Sequence, residues 1–177
     1  MAHLKIGDEA LAFKLPGVDG KEHSIDEYKG KDAVVVIFSC NHCPYVRAWE
    51  DRMVQIQADY ASKGVQIIAF NSNDASKFPE DSFPNMKERA RVKNFNFPYV
   101  RDETQSVARA YGAERTPEVF MFNKNGVLRY HGAIDDNYDD PKGVREHYLR
   151  LALDAMLSGN PISTPETRPV GCSIKWK

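Results

Sequence analysis

Two of the three cysteines in this chain of 177 residues, Cys40 and Cys43, stand one helical turn apart in the stretch VVVIFSCNHCP at 34–44. Packing gives no reason to place two sulfurs where a buried strand ends. Redox chemistry does. A C-x-x-C dithiol at a helix start puts the first sulfur near unpaired backbone N–H groups and the positive end of the helix dipole, which favour a thiolate. The second lies within reach for a disulfide. Thiolate is the attacking form, so Cys40 is the candidate nucleophile and Cys43 the candidate resolving thiol that ejects a mixed-disulfide partner. Pro44 suits a first helical turn, because the N–H it lacks had no helical partner there. His42 has two readings. An imidazolium beside the dithiol would stabilise the Cys40 thiolate and make the disulfide a stronger oxidant; otherwise it is a polar residue at a helix start. Arg47 either adds positive potential or covers surface.

Cys172, in GCSIKW near the end of the chain, is a further candidate. A tail folded back over the domain would bring it to Cys43 as a third redox thiol, while an isolated cysteine in an apolar strand also serves as a small buried hydrophobe. A metal-binding module is the reading from another class, since Cys40, His42 and Cys43 offer ligands. A closed zinc site needs four, and His3, His23, His131 and His147 are scattered without ligand spacing. The acidic run IDDNYDD at 134–140 lacks the glycine and terminal glutamate of a calcium loop, so it reads as solvated. No metal and no organic cofactor is expected, because the protein itself carries the disulfide.

The elements that must position these residues follow from periodicity. The segment AFKLPGVDGKEHSI reads as a hairpin, and Val34–Phe38 as a strand buried on both faces. Val46, Trp49, Met53, Ile56 and Tyr60 recur in steps of three and four, one stripe of a helix ending before Gly64. The run VQIIAF is a second buried strand. Next come a helix around Asn85–Lys93, an extended PYV, and a helix with Val107, Ala108 and Tyr111 on one side. VFMF and VLRYH flank Asn125-Gly126, a strong hairpin signal. A last helix is predicted from about Pro141 to Leu157, packing through Val144, Tyr148, Leu151 and Ala155. This order predicts an α/β fold with a central mixed β-sheet flanked by helices. One domain spans 1–159, with 160–177 an extension packed on it or trailing from it.

Composition sets the outer limits. A chain with 42% hydrophobic residues, 28% charged residues and a net charge of −1 is an ordinary folded domain. It offers no basic surface for nucleic acid. The start MAHLKIGDEALAF is interrupted by charge and has no secretory h-region, and no stretch is apolar enough to span a bilayer. A cytoplasmic protein is therefore expected, where three cysteines are better read as redox, metal or buried thiols than as a disulfide framework.

Strand, then FSCNHCPYV, then a long helix, with Thr116-Pro117 ahead of a late strand, resembles the thioredoxin superfamily over residues 12–157. The leading hairpin and the helix inserted around Asn85–Lys93 are similar to its longer redoxin branch, which holds thioredoxin-like reductases and proteins of the alkyl hydroperoxide reductase and thiol-specific antioxidant type. The resemblance implies a thioredoxin-like fold and a thiol-disulfide oxidoreductase with a general antioxidant role. By position it implies Cys40 as nucleophile, Cys43 as resolving cysteine, and Pro117 as a cis-proline that, with Thr116 before it, helps hold an extended substrate. Its partners would be protein or small-molecule disulfides and an upstream thiol reductant. The chain departs from thioredoxin in lacking tryptophans and a Gly-Pro dipeptide around the cysteines, and it has no acid on the Val34–Phe38 strand. The rival within this resemblance is a thiol peroxidase acting on hydroperoxides. Peroxiredoxins resemble one another in a Pro-x-x-x-Thr/Ser-x-x-Cys loop, which 34–43 lacks, and in an arginine near where this chain has Pro117, with Arg115 two residues away.

Overall fold

The structure, a computed structural model, describes residues 4–177. Its central sheet is built on β3 (Ala33–Ser39), whose seven residues are all buried. Parallel to β3 lies β4 (Val65–Asn71), and parallel to β4 lies β5 (Tyr99–Arg101). On the other side β7 (Glu118–Asn123) and β8 (Leu128–Gly132) run antiparallel, giving the spatial order β5-β4-β3-β7-β8. A hairpin of β1 (Lys14–Pro16) and β2 (Glu22–Ser24) precedes the sheet. The mixed α/β sheet follows from chain order: helix crossovers allow parallel neighbours, while the Asn125-Gly126 hairpin forces an antiparallel edge.

Alternation along β3 sends its residues into two cores. Val35 and Ile37 join Ile67, Trp49, Met53 and Leu153 on one face, and Val34, Val36 and Phe38 join Phe70, Tyr111 and Phe120 on the other. Each such side chain, fully buried, contributes on the order of 1.5–3 kcal/mol. Helix α1 (Pro44–Tyr60) buries the whole expected stripe of Val46, Trp49, Met53, Ile56 and Tyr60. It ends in a 3-10 turn closed by Gly64 at φ 78°, a left-handed conformation open to glycine. Helix α2 (Phe83–Val92) is the inserted helix. It is fastened to α1 by the ion pair of Arg89 with buried Glu50. Helix α3 (Ser106–Tyr111) packs Val107, Ala108 and Tyr111 against the opposite face.

Two expectations are corrected at the end of the domain. Helix α4 covers only Tyr148–Leu157, preceded by a separate 3-10 turn at Pro141–Gly143. Its buried positions are Leu149, Ala152 and Leu153, whereas Leu151 is 53% exposed. Val144 lies off the helix, so the register counted from Pro141 was displaced. The acidic run 134–140 is also less solvated than its charge implies: Ile134 and Asp135 are buried, and Asp135 receives Arg52 Nη1 at 2.8 Å.

The tail is packed on the domain. Glu166 bridges His131, and Cys172–Ser173 form β9, antiparallel to β6 (Arg115–Thr116). Glu118, buried at the start of β7, holds the segment that leads into this pair. Its Oε1 accepts the backbone N–H groups of Glu114 and Arg115, both at 2.9 Å, and its Oε2 lies 2.7 Å from His131 Nε2. Burial disfavours a charged His131, but the hydrogen bond and charge of Glu118, with Glu166 behind, outweigh it and raise the ring above its ordinary value. Replacing Glu118 by alanine should lower stability by about 2–4 kcal/mol, since it strands two donors and one histidine. Glu118→Gln keeps an acceptor for the amides and loses only the charge on His131. Because the folded value of His131 is raised, its contribution is complete below the ordinary histidine value of about 6.5 and lost as pH rises from there through the higher folded value. The stability gap between wild type and Glu118→Gln in urea titrations should therefore narrow on going from pH 6 to alkaline pH.

Candidate active site

The strand β3 ends at Ser39, and the next four residues turn sharply into α1. Cys40 and Cys43 are 2% and 1% exposed, and with Cys172 all three cysteines are thiols. The turn is held from inside. Asn41 N donates to Asp81 Oδ1 at 2.7 Å, Asn41 Nδ2 to the Glu80 carbonyl at 2.9 Å, and Tyr99 Oη to Asn41 Oδ1 at 2.7 Å. Arg47 Nε donates to the Asn41 carbonyl at 2.9 Å, so it braces the turn rather than facing the sulfurs.

Thr116 meets both sulfurs. Its Oγ1 lies 3.7 Å from Cys40 Sγ, and its carbonyl accepts from Cys43 Sγ at 3.5 Å. The Thr116–Pro117 peptide is cis, and Thr116 is buried. Thr116, just ahead of β7, the strand paired with β3, thus contacts the dithiol with one side-chain and one backbone group. Arg115, beside it on β6, is exposed.

The charge is distributed differently from the sequence expectation. Cys43 is the N-cap of α1 and Cys40 stands three residues ahead of it. The Cys43 thiol is pulled down to about 4, chiefly by the S–H of Cys40, against the penalty of burial. The Cys172 thiol and the backbone N–H groups of Val46 and Cys172 assist. Cys40 is pushed well above the usual thiol range by acting as that donor, then by burial and by the negative charge of Asp81; Thr116 pulls it slightly back. In the reduced protein the pair therefore shares one negative charge centred on Cys43. The Val46 amide adds to the effect because helix N–H groups point at the capping residue.

Asp81 is the residue sequence reasoning missed. It is fully buried in the 3-10 turn Pro79–Asp81. Besides Asn41 N it accepts from Asn71 Nδ2 at 3.1 Å and Asn73 Nδ2 at 3.0 Å. His42, stacked on Phe78, places Nδ1 2.7 Å from Asp81 Oδ2, off the line of a hydrogen bond. No acid was expected near the dithiol because none lies on the β3 strand. The acid comes instead from the connection between β4 and α2, and no local pattern in FPEDSF marks it.

Among the described residues, Cys40, His42 and Asp81 form the one group with metal-ligand spacing, one atom of each within 4.8 Å of the others. Cys43 is not part of it. A metal there would have to draw Asp81 from three hydrogen-bond donors, so these residues suit a hydrogen-bonded carboxylate better than an open ligand set. The other described histidines lie elsewhere. His23 is buried among Asp19, Glu27 and Tyr28, where it pins the first hairpin, and His147 is exposed. His3 lies outside the described residues.

The AhpC/TSA family profile matches residues 6–131. An uncharacterized conserved protein from Geobacillus kaustophilus has a solved structure that is 41% identical, with a TM-score of 0.93, covering 98% of this chain and 93% of that one. A thioredoxin family thiol:disulfide interchange protein from Chlorobium tepidum shares the fold at 24% identity and a TM-score of 0.65, over 88% and 99% of the two chains. The thiol-disulfide oxidoreductase ResA of Geobacillus thermodenitrificans is 27% identical over 126 residues, 70% of this chain and 67% of that protein.

Proposed function

Because the chain belongs to the AhpC/TSA family, we propose that it is a thiol-disulfide oxidoreductase whose working pair is Cys40 and Cys43. One observation carries the reading: two buried thiols at a strand-to-helix turn are both contacted by the residue before a cis-proline, Cys40 by its hydroxyl and Cys43 by its carbonyl. Kinship with a thiol-disulfide oxidoreductase and with a thiol:disulfide interchange protein supports it.

The cycle follows from where the proton sits. Cys40 passes its proton to Cys43 along their hydrogen bond, and the Thr116 carbonyl accepts the new S–H. The Cys40 thiolate attacks one sulfur of a partner disulfide; a Cys40–partner disulfide forms, and the other partner sulfur leaves as a thiolate and is protonated. Cys43, its proton lost, attacks Cys40 Sγ and expels the second partner sulfur. Two electrons and two protons have moved to the partner, and Cys40–Cys43 is oxidised. An upstream thiol reductant restores the pair. Thr116 and Pro117 line the approach to Cys40, while Asp81, with His42 against it, places negative charge behind it. A reducing, cytoplasmic setting is part of the same proposal, supported by cysteine usage that builds no structural disulfide framework.

Separate reaction of the reduced protein with a disulfide-bonded peptide and with a stoichiometric hydroperoxide tests this reading, with Cys40 followed by mass spectrometry. Mixed-disulfide formation should outrun sulfenic acid formation by at least about tenfold. Fast sulfenic acid with sluggish exchange would replace it with a peroxidase.

A further inference from the structure

The segment 171–177 packs closely on the residues that hold the dithiol. Its strand β9 sets Cys172 opposite Thr116, the residue that contacts both sulfurs of the pair. At Gly171 a Cβ would fall 2.0 Å from the Thr116 carbonyl oxygen, so only glycine permits this approach. Beyond it, Ile174 is buried and donates its N–H to the Glu114 carbonyl at 3.0 Å. Lys175 N donates at 2.9 Å to Oδ1 of Asn73, whose amide nitrogen in turn holds Asp81. The tail is thus tied into the network that supports the dithiol. Cys172 packs against the cluster of Cys40, Cys43 and Val46, and its thiol is among the groups that lower the Cys43 pKa. Unlike Cys40 and Cys43, it is only partly buried.

Resting on the dithiol reading above, we propose that Cys172 is a third redox thiol, which takes over the disulfide from Cys40 and presents it to the reductant. After the Cys40–Cys43 disulfide has formed, Cys172 loses its proton to solvent and its thiolate attacks Cys43 Sγ. The Cys43–Cys172 bond forms, the Cys40–Cys43 bond breaks, and Cys40 leaves as a thiolate that takes up a proton. No electrons enter or leave in this exchange. Cys40 is returned to its attacking state while the oxidising equivalents rest on the sulfur nearest to solvent. An external thiol then attacks Cys172 Sγ, the Cys43 thiolate departs, and a second external thiol attacks its partner in the resulting mixed disulfide, freeing Cys172 and releasing the reductant as its own disulfide. Cys43 is the natural centre of this relay because its sulfur meets the carbonyl of Thr116, the residue that β9 sets opposite Cys172.

The test uses the full chain, wild type and Cys172→Ser, oxidised with diamide, quenched in acid, alkylated and digested with trypsin. Cys40 and Cys43 fall on one tryptic peptide and Cys172 on another, so a bond to the tail appears as a cross-linked pair. Wild type should yield both the 40–43 loop and the 43–172 cross-link, and Cys40→Ser should yield the cross-link alone. With reduced glutathione as reductant, the ratio of the regeneration rate to the rate of first exchange with a disulfide peptide should fall at least about fivefold in Cys172→Ser. Closure of 40–43 with Cys172 still fully alkylated, together with unchanged regeneration, would overturn the relay and leave the dithiol reading standing. Failure of Cys40 and Cys43 to join in either protein would instead remove the reading on which the relay rests.

Discussion

Cys40→Ser should reduce the rate of exchange with a disulfide-bonded peptide by on the order of 10³-fold or more, equivalent to at least ~4 kcal/mol of lost transition-state stabilisation. A hydroxyl at this site cannot replace the sulfur. Serine oxygen is a poor nucleophile toward a disulfide, and the neighbouring Cys43, although it holds the charge, is a weaker nucleophile for its lowered pKa. Cys43→Ser has a different signature. The first attack survives and the second does not, so the protein stops as a mixed disulfide after one encounter. The fold should barely notice either change, because both side chains are small and a serine can still bond Thr116. Far-ultraviolet circular dichroism beside the kinetic assay separates lost chemistry from lost structure.

The second large effect concerns stability. Asp81 accepts hydrogen bonds from Asn41 N, Asn71 Nδ2 and Asn73 Nδ2, all in the interior. Asp81→Ala leaves these donors unpaired at about 1–3 kcal/mol each, which after partial relaxation predicts a loss of roughly 3–6 kcal/mol. That is a large part of the stability of an ordinary domain, so a marked fall in the urea midpoint is expected. Asp81→Asn separates the carboxylate's two roles. It keeps the volume and an acceptor, and removes the negative charge that, after the Cys43 sulfur and burial, helps to hold Cys40 in its protonated form. Cys40 should then react with iodoacetamide at neutral pH about three- to tenfold faster than in wild type. Unchanged or slower alkylation, in a variant that remains folded, would mean that Asp81 acts only as a structural acceptor.

Much of this arrangement was legible in residue order, and the exceptions share a cause. The β3 strand, the α1 stripe from Val46 to Tyr60 and the dithiol between them are local patterns, set by periodicity and by the proline at the helix start. The Asn125-Gly126 turn likewise announces its hairpin, and the redoxin likeness placed Thr116 and Pro117 at a distance no local rule could span. Helix α4 was misread because apolar residues before Tyr148 continue a helical spacing by chance, while Pro141 and Gly143 form a separate turn. Asp81, Asn41 and Asn73 left no signal, since each acquires its role only when the β3–α1 turn and the β4–α2 connection close over the end of β3. The proton's position on Cys40 is a tertiary outcome too: it depends on burial, on Asp81 and on which cysteine caps the helix. The tail is an intermediate case, in which Gly171 marks a close approach only once Thr116 is seen beside it.

The most direct measurement removes the sulfurs able to hide the first chemical event. The double variant Cys43→Ser, Cys172→Ser, reduced and mixed with a disulfide-bonded peptide, should gain the mass of one peptide half, and fragmentation should locate the adduct on Cys40. A folded variant that stays unmodified under conditions where a free thiol of ordinary reactivity is converted would contradict attack by Cys40.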